Sequence, residues 1–217
     1  LAPAPYAAGA TDAPAEASAL FTAGDARFLQ PAFDDIRYLG VRSTVVGFVR
    51  AADGAELPAV LVSYDSAKLT YKRLLGAFWR GIDPTRSAAQ GQFGSAGSSV
   101  IWASSQAELT IAQESRRRLE ASDLFKGLAI ETEVRAIDQG DASGSGLWTA
   151  AADSEQDWYR RQPQAYEKLR AQSGRSGWFE RTYRPITTTA CADGVCGYVY
   201  FPCSDENGCT AIMQGKW

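Results

Sequence analysis

The 217 residues contain no histidine, and no cysteine before position 191. Without imidazole, little titrates between about pH 5 and 8 beyond shifted carboxylates, so net charge stays nearly constant there. There is no excess of basic residues. Lys and Arg number 22 against 25 Asp and Glu, for a net charge of -3 and a pI near 5.1. That balance argues against nucleic acid as a partner. No apolar run approaches the ~20 residues a membrane-spanning helix needs, although docking on a membrane complex stays open. No strand–GxGxxG–helix or phosphate-loop pattern occurs, so no cofactor is implied. What remains is ordinary globular composition, 45% hydrophobic and 22% charged, enough for a core that needs no metal or disulfide.

Leu1 to Ala19 is rich in Ala and Pro, and its first charge is Asp12. It reads as a flexible arm, the start of a mature chain once a targeting segment has been removed. From residue 20 to 172, strand and helix patterns alternate. Pro31 can open a short helix running to Leu39. Val41–Val49 and Ala59–Tyr64 are β-branched strands. Thr70 to Ile82 places Leu74, Leu75, Phe78 and Trp79 on one helical face, and Asp83-Pro84 ends that helix. After a Gly/Ala/Ser-rich loop (Arg86 to Gly97) comes a strand to Ala103. A helix to about Ala121 follows, opened by the capping-box pattern Ser105-Gln106-Ala107-Glu108. Leu128 to Ile137 reads as a strand, Gln139 to Gly146 as a loop, and Glu155 to Gln172 as the last helix. The fold class expected is α+β, a two-layer sandwich around a mixed sheet.

Residues 173–217 form a distinct extension. All four cysteines, Cys191, Cys196, Cys203 and Cys209, lie in the last 27 residues. An even number in a short Gly-containing tail reads as two disulfides in an oxidising compartment. Their gaps of four, six and five residues suit a zinc ribbon poorly, so no metal site is expected; free thiols are the third alternative. Asp193-Gly194 and Asn207-Gly208 are tight-turn dipeptides flanking an alternating strand, which predicts a small three-stranded meander. With Asp193-Gly194 as a two-residue loop, Ala192 faces Val195 and Cys191 faces Cys196. That spacing suits a cross-strand disulfide and leaves Cys203 with Cys209, the preferred one of three possible connectivities.

Gly40-Val41-Arg42-Ser43, the stretch Val62-Ser63-Tyr64-Asp65 with Tyr71, Leu74-Leu75, Phe78-Trp79 and Asp83-Pro84-Thr85, then Gln90-Gly91, Glu131 to Val134, and Gln156 to Pro163 with Tyr166 hold a common spacing. Together they resemble the peptide methionine sulfoxide reductase A family over roughly residues 20–170. The resemblance implies that family's α+β sandwich. It also implies a nucleophilic cysteine at a helix N-terminus, whose thiolate attacks the sulfoxide sulfur, with a glutamate and tyrosines that polarise the oxygen.

Counted without gaps, that cysteine position falls on Arg27, followed by Phe28 and by Leu29 where the family has tryptophan. The glutamate position falls on Pro58, Gln92-Phe93 replaces an Asn-Asp pair, and Glu155 replaces a histidine. A guanidinium stays protonated and cannot be a nucleophile. On that register no catalytic residue survives, and Arg27, Phe28, Leu29, Pro58 and Phe93 mark a dismantled site.

The expectation is therefore a non-enzyme, a pseudoenzyme serving as a structural or protein-binding subunit. Trp178, Phe179, Tyr198, Tyr200 and Trp217 offer interface aromatics for a protein partner or a larger membrane-associated complex. Compartment logic suggests the thylakoid lumen and an accessory subunit of a photosynthetic complex, with secretion or the periplasm as alternatives. The competing expectation is a methionine sulfoxide reductase-like protein that still recognises sulfoxides and reduces them with its tail cysteines. The carboxylate pairs Asp34-Asp35, Glu131 with Glu133, and Glu155 with Asp157 read as solvated surface.

Overall fold

Strands form where a sheet can bury side chains on at least one face, and six of them assemble into the sheet that carries Phe21. The computed structural model describes residues 16–51, 54–93, 95, 97–125, 127–137, 147–182, 185–192 and 195–200; for the last two segments it is backbone pairing that is described. In chain order the elements are β1 (Glu16–Thr22), α1 (Ala26–Asp34), β2 (Val41–Arg50), β3 (Glu56–Asp65), α2 (Tyr71–Gly81), β4 (Val100–Ala103), α3 (Gln106–Glu120) and β5 (Glu133–Ala136). They continue with β6 (Trp148–Ala150), α4 (Trp158–Arg161), α5 (Pro163–Gln172), α6 (Arg175–Thr182), β7 (Pro185–Ala192) and β8 (Val195–Tyr200).

Strands β1 to β6 form one mixed sheet in the order β5-β4-β1-β3-β2-β6. Only the β4–β5 pair is parallel. The two-residue period divides the faces. Ala19, Phe21, Val60, Val62 and Ile101 join the buried residues of α1, α2 and α3 in the larger core. Leu20, Val49, Ala59, Val100 and Trp102 form a smaller cluster on the other face, flanked by Leu61, Ile137, Leu147 and Trp148. Phe21 is wholly buried, with the rings of Phe33 and Phe78 each 5.0 Å away. The apolar stripe of α2 is buried as its spacing predicts, and Trp79 Nε1 donates to Ser115 Oγ on α3 at 2.8 Å. The α+β expectation is therefore met.

Several local expectations need correction. Glu16–Ala19 is not part of an arm but the first half of β1, paired with β3. Ala-rich sequence has low strand propensity, and a central position in the sheet overrides it. Pro31 does not open a helix. Asp25 caps α1 six residues earlier, and Pro31 lies inside it, where it cannot donate to the Arg27 carbonyl. The expected last helix is divided at Gln162, the residue before Pro163, which leaves helical geometry at φ -127°, ψ 56° because proline disfavours α geometry in its predecessor. Strand β6 and helix α6 gave no readable signal.

Strand β6 presses closely on β2. A Cβ on Gly47 would lie 2.3 Å from the Trp148 ring and 2.2 Å from the Thr149 carbonyl oxygen, so only glycine fits. Just beyond β6, Gln156 acts as a piece of strand. Its Oε1 accepts from Val46 N–H and its Nε2 donates to Val46 C=O, both at 2.8 Å.

In the extension, β7 and β8 pair antiparallel with Ala192 opposite Val195 and Cys191 opposite Cys196, the register expected from the turn dipeptide. The expected third strand, and with it Cys203, Cys209 and Trp217, lies outside the described residues.

Candidate active site

The site is built on the first turn of α1. Asp25 is extended at φ -143°, ψ 111°, and its carboxylate caps the helix by accepting from Arg27 N–H at 2.9 Å. The same carboxylate is gripped by the Arg27 side chain. Nε donates to Oδ1 at 2.9 Å and to Oδ2 at 3.1 Å, and Nη2 donates to Oδ2 at 2.6 Å. Ser95 Oγ adds a fourth donor at 3.3 Å. Asp25 is almost fully enclosed, with 6% of its side chain exposed, whereas the Arg27 side chain is 39% exposed. The Asp25 hydrogen bonds push the Arg27 pKa above its ordinary value, against partial desolvation that pulls it down. The guanidinium lies over the Trp158 ring, 5.2 Å from its centroid.

Beside it stands an aromatic wall. Phe28 meets Phe93 edge-on at 5.9 Å and Tyr166 at 6.3 Å, and Phe93 meets Trp178 of α6 at 5.3 Å. Arg175 inserts from α6 over both Phe28 and Phe93, at 5.5 and 5.7 Å, and donates to Gly81 C=O at 3.4 Å. Phe93 holds its place at a cost, with a left-handed φ of +49°. Its predecessor Gln92 is clasped by Asp83, donating to the Asp83 carbonyl at 2.7 Å and accepting from the Asp83 N–H at 2.9 Å. The only other non-glycine residue with positive φ among those described is Asp157, at +50°. It immediately precedes Trp158 and accepts from Gln30 of α1 at 3.3 Å. Both strained positions thus brace aromatic rings against one turn of one helix.

The far end of α1 carries a second carboxylate. Asp34 Oδ1 accepts from Thr44 Oγ1 at 2.9 Å and from Arg37 Nε at 2.7 Å, and Oδ2 accepts from the Tyr159 hydroxyl at 2.6 Å. Arg160 lies 3.3 Å away, and 1% of the Asp34 side chain is exposed. Asp34 is therefore not solvated surface. Burial, first, and the hydrogen bond to Asp34 push the Tyr159 hydroxyl pKa well up.

Of the five residues placed at the site from sequence, Phe28 and Phe93 are brought into contact and Arg27 stands beside them. Pro58 enters through its backbone, its carbonyl accepting from Ala23 N–H at 3.1 Å just before α1. Leu29 does not line the site; it turns away and is fully buried in the larger core. Trp178 was expected at an outer surface, yet it packs on Phe93 and the core, and Phe179 is half-buried. Tyr198 and Tyr200 are described only as backbone positions of β8. Sequence reading missed Asp25, Gln30, Thr44, Tyr159 and Arg175. Asp25 alone carried a signal, as a helix-capping residue type ahead of an apolar run. Among the described residues, no three His, Cys, Asp or Glu side chains are placed to hold a metal ion, and no helix is long and apolar enough to cross a membrane.

A model of the family "Peptide methionine sulfoxide reductase" matches residues 48–185, and the chain belongs to that family. Peptide methionine sulfoxide reductase MsrA of Bacillus licheniformis is 30% identical over 126 residues, covering 57% of this chain and 64% of that protein. The Bacillus subtilis protein of the same name is 31% identical over 123 residues, covering 55% and 63%. The chain thus spans a little under two thirds of the length of these curated relatives. Among solved structures, the fold resembles reduced Mxr1 of Saccharomyces cerevisiae (TM-score 0.56, 17% identity, 69% of this chain and 87% of that one). It also resembles methionine sulfoxide reductase A of Corynebacterium diphtheriae (TM-score 0.54, 20% identity, 84% of each).

The family membership overturns the expectation of a non-enzyme, because the matching model and the curated relatives are those of a reductase. An ungapped register tests whether sulfur occupies one position. It says nothing about a thiol delivered from elsewhere, and this chain holds four cysteines downstream of α6.

Proposed function

We propose that the chain is a peptide methionine sulfoxide reductase-type enzyme that binds the sulfoxide side chain at the first turn of α1 and reduces it with thiols of its C-terminal extension. The observation that carries this reading is the convergence of two strained residues, the aromatic wall and a polar pair on that turn. A methionine sulfoxide side chain needs both, apolar surface for its methyl and methylene groups and a donor for its oxygen.

The chemistry needs two thiols. One, as thiolate, attacks the sulfoxide sulfur while the oxygen takes up a proton from solvent; the S–O bond breaks, oxygen leaves on the cysteine as a sulfenic acid, and the thioether is released. A second thiol attacks the sulfenic sulfur, expelling water and forming a disulfide. The sulfoxide is reduced by two electrons, and two thiols are oxidised to one disulfide, which an external dithiol then reopens. Cys191 and Cys196 suit the second step, because opposed positions one pair beyond a hairpin's closing pair have the Cα spacing a disulfide requires. Trp178, seated in the aromatic wall, precedes Cys191 by 13 residues in the sequence, a tether of at most about 45 Å fully extended.

The test is reduction of a methionine sulfoxide peptide with dithiothreitol as donor, followed by loss of one oxygen in the mass spectrum. The chain should accelerate reduction over dithiothreitol alone, and the acceleration should vanish when all four cysteines are replaced by serine. A rate equal to that of dithiothreitol alone overturns the proposal.

A further inference from the structure

We infer that Arg27 is the residue that reads the sulfoxide oxygen, in a site that Asp25 keeps electrically neutral; this rests on the sulfoxide-binding role of the α1 turn. The guanidinium has five N–H donors in a rigid fork. Nε and Nη2 are committed to Asp25. The two hydrogens on Nη1 have no partner among the described residues. One edge of the fork is therefore fixed by a nearly buried carboxylate, while the other stays available on a side chain 39% exposed.

The flat face of the group rests over Trp158, and Phe28, next along the helix, carries the aromatic wall. Donor and apolar surface thus adjoin. Fixing the fork in advance lowers the ordering cost of a contact made through its free edge.

Charge decides which acceptor fits. Asp25 cancels the Arg27 cation, and Glu155 adds negative potential at the guanidinium. An incoming carboxylate meets the Asp25 and Glu155 anions, whose repulsion offsets the pull of Arg27 and of Arg175 over the adjoining Phe28. A sulfoxide is uncharged, yet its oxygen is a strong acceptor, so it takes the hydrogen bond without the repulsion. A thioether has no such oxygen and gains nothing from Arg27. The turn therefore discriminates methionine sulfoxide from methionine on one side and from acidic side chains on the other. The two Asp25 oxygens already accept from Arg27 N–H, Arg27 Nε, Arg27 Nη2 and Ser95 Oγ, so they do not compete for the Nη1 donors.

The experiment titrates full-length protein with three blocked peptides identical except for a central methionine sulfoxide, methionine or glutamate. Binding is followed on the Arg27 Nε–H resonance and by calorimetry. The sulfoxide peptide should bind about 10- to 100-fold more tightly than the methionine peptide, the range for one hydrogen bond to a charged group. Arg27→Gln should erase that preference, and Arg27→Lys should keep part of it. Asp25→Asn retains a capping side chain but leaves the cation uncancelled, and should raise glutamate-peptide affinity several-fold. A sulfoxide preference undiminished in Arg27→Gln, with the protein still folded by circular dichroism, overturns the inference while leaving the reductase reading intact. No binding or reduction of the sulfoxide peptide by the unaltered protein overturns both. An Asp25→Asn protein that binds glutamate no better removes the neutrality argument.

Discussion

The two ends of α1 each carry an enclosed aspartate, but they are partnered differently. Asp34 is bound from three directions, by Thr44 on β2, Arg37 after the helix and Tyr159 with Arg160 on α4. Among the described residues Asp25 has a single charged partner, Arg27, whose fork is only half used. A carboxylate satisfied from several elements holds a fold together. One whose cation keeps free donors at the surface leaves chemistry available. The helix is thus fixed at its C-terminal end and open for recognition at its N-terminal end.

The comparison breaks most readily at Asp34. Asp34→Ala strands Arg37, Arg160, Thr44 and Tyr159 around a cavity, and should cost about 3–5 kcal/mol, read as a lower denaturant midpoint in equilibrium unfolding. Tyr159→Phe removes one hydrogen bond to that carboxylate and should cost about 1.5–3 kcal/mol in the same measurement. Asp25→Ala removes a cap and should cost about 0.5–2 kcal/mol. If it proves as damaging as Asp34→Ala, the two ends do not differ in kind. Arg27→Gln should change stability by about 1 kcal/mol or less, because the pair is partly solvated, while its effect on sulfoxide binding is large.

Alkaline pH sharpens the contrast further. The Tyr159 hydroxyl titrates above its ordinary value, so its contribution is complete below the unfolded tyrosine value of about 10 and is lost as pH rises beyond it. Tyr64, pushed up by burial to about 12, and Tyr71, raised mainly by burial, add to the same loss. Tyr159→Phe should therefore flatten the fall in stability above pH 10 only in part, measured by thermal melts across that range.

The sheet and its helices were legible where one rule dominates. The β-branched runs of β2 and β3, the Leu74–Trp79 stripe of α2 and the Ser105 start of α3 all follow from local periodicity and capping. The Cys191–Cys196 register followed from one turn dipeptide. What could not be read depends on distant partners. Strand β1 is a strand because β3 and β4 flank it, and β6 is three residues held against Gly47. The site was half legible. Phe28 and Phe93 were singled out by position alone, yet the wall they join includes Tyr166 and Trp178, more than 70 residues on. Asp34 looked like half of an acidic surface pair because its neighbours come from β2 and α4. The larger misreading concerned function, since motif register locates a missing sulfur and cannot exclude one carried in by a tail.

Gln156 has a consequence for how copies of this chain meet. By answering both backbone groups of Val46, with Ala151 N–H also on the Val46 carbonyl, it leaves Val46 nothing to offer a strand from a second molecule. Open rims are where sheets recruit strangers and grow into fibres. Here one amide and the Ala151 N–H close the gap where β6 runs out, and crowding should find β2 a poor template at Val46.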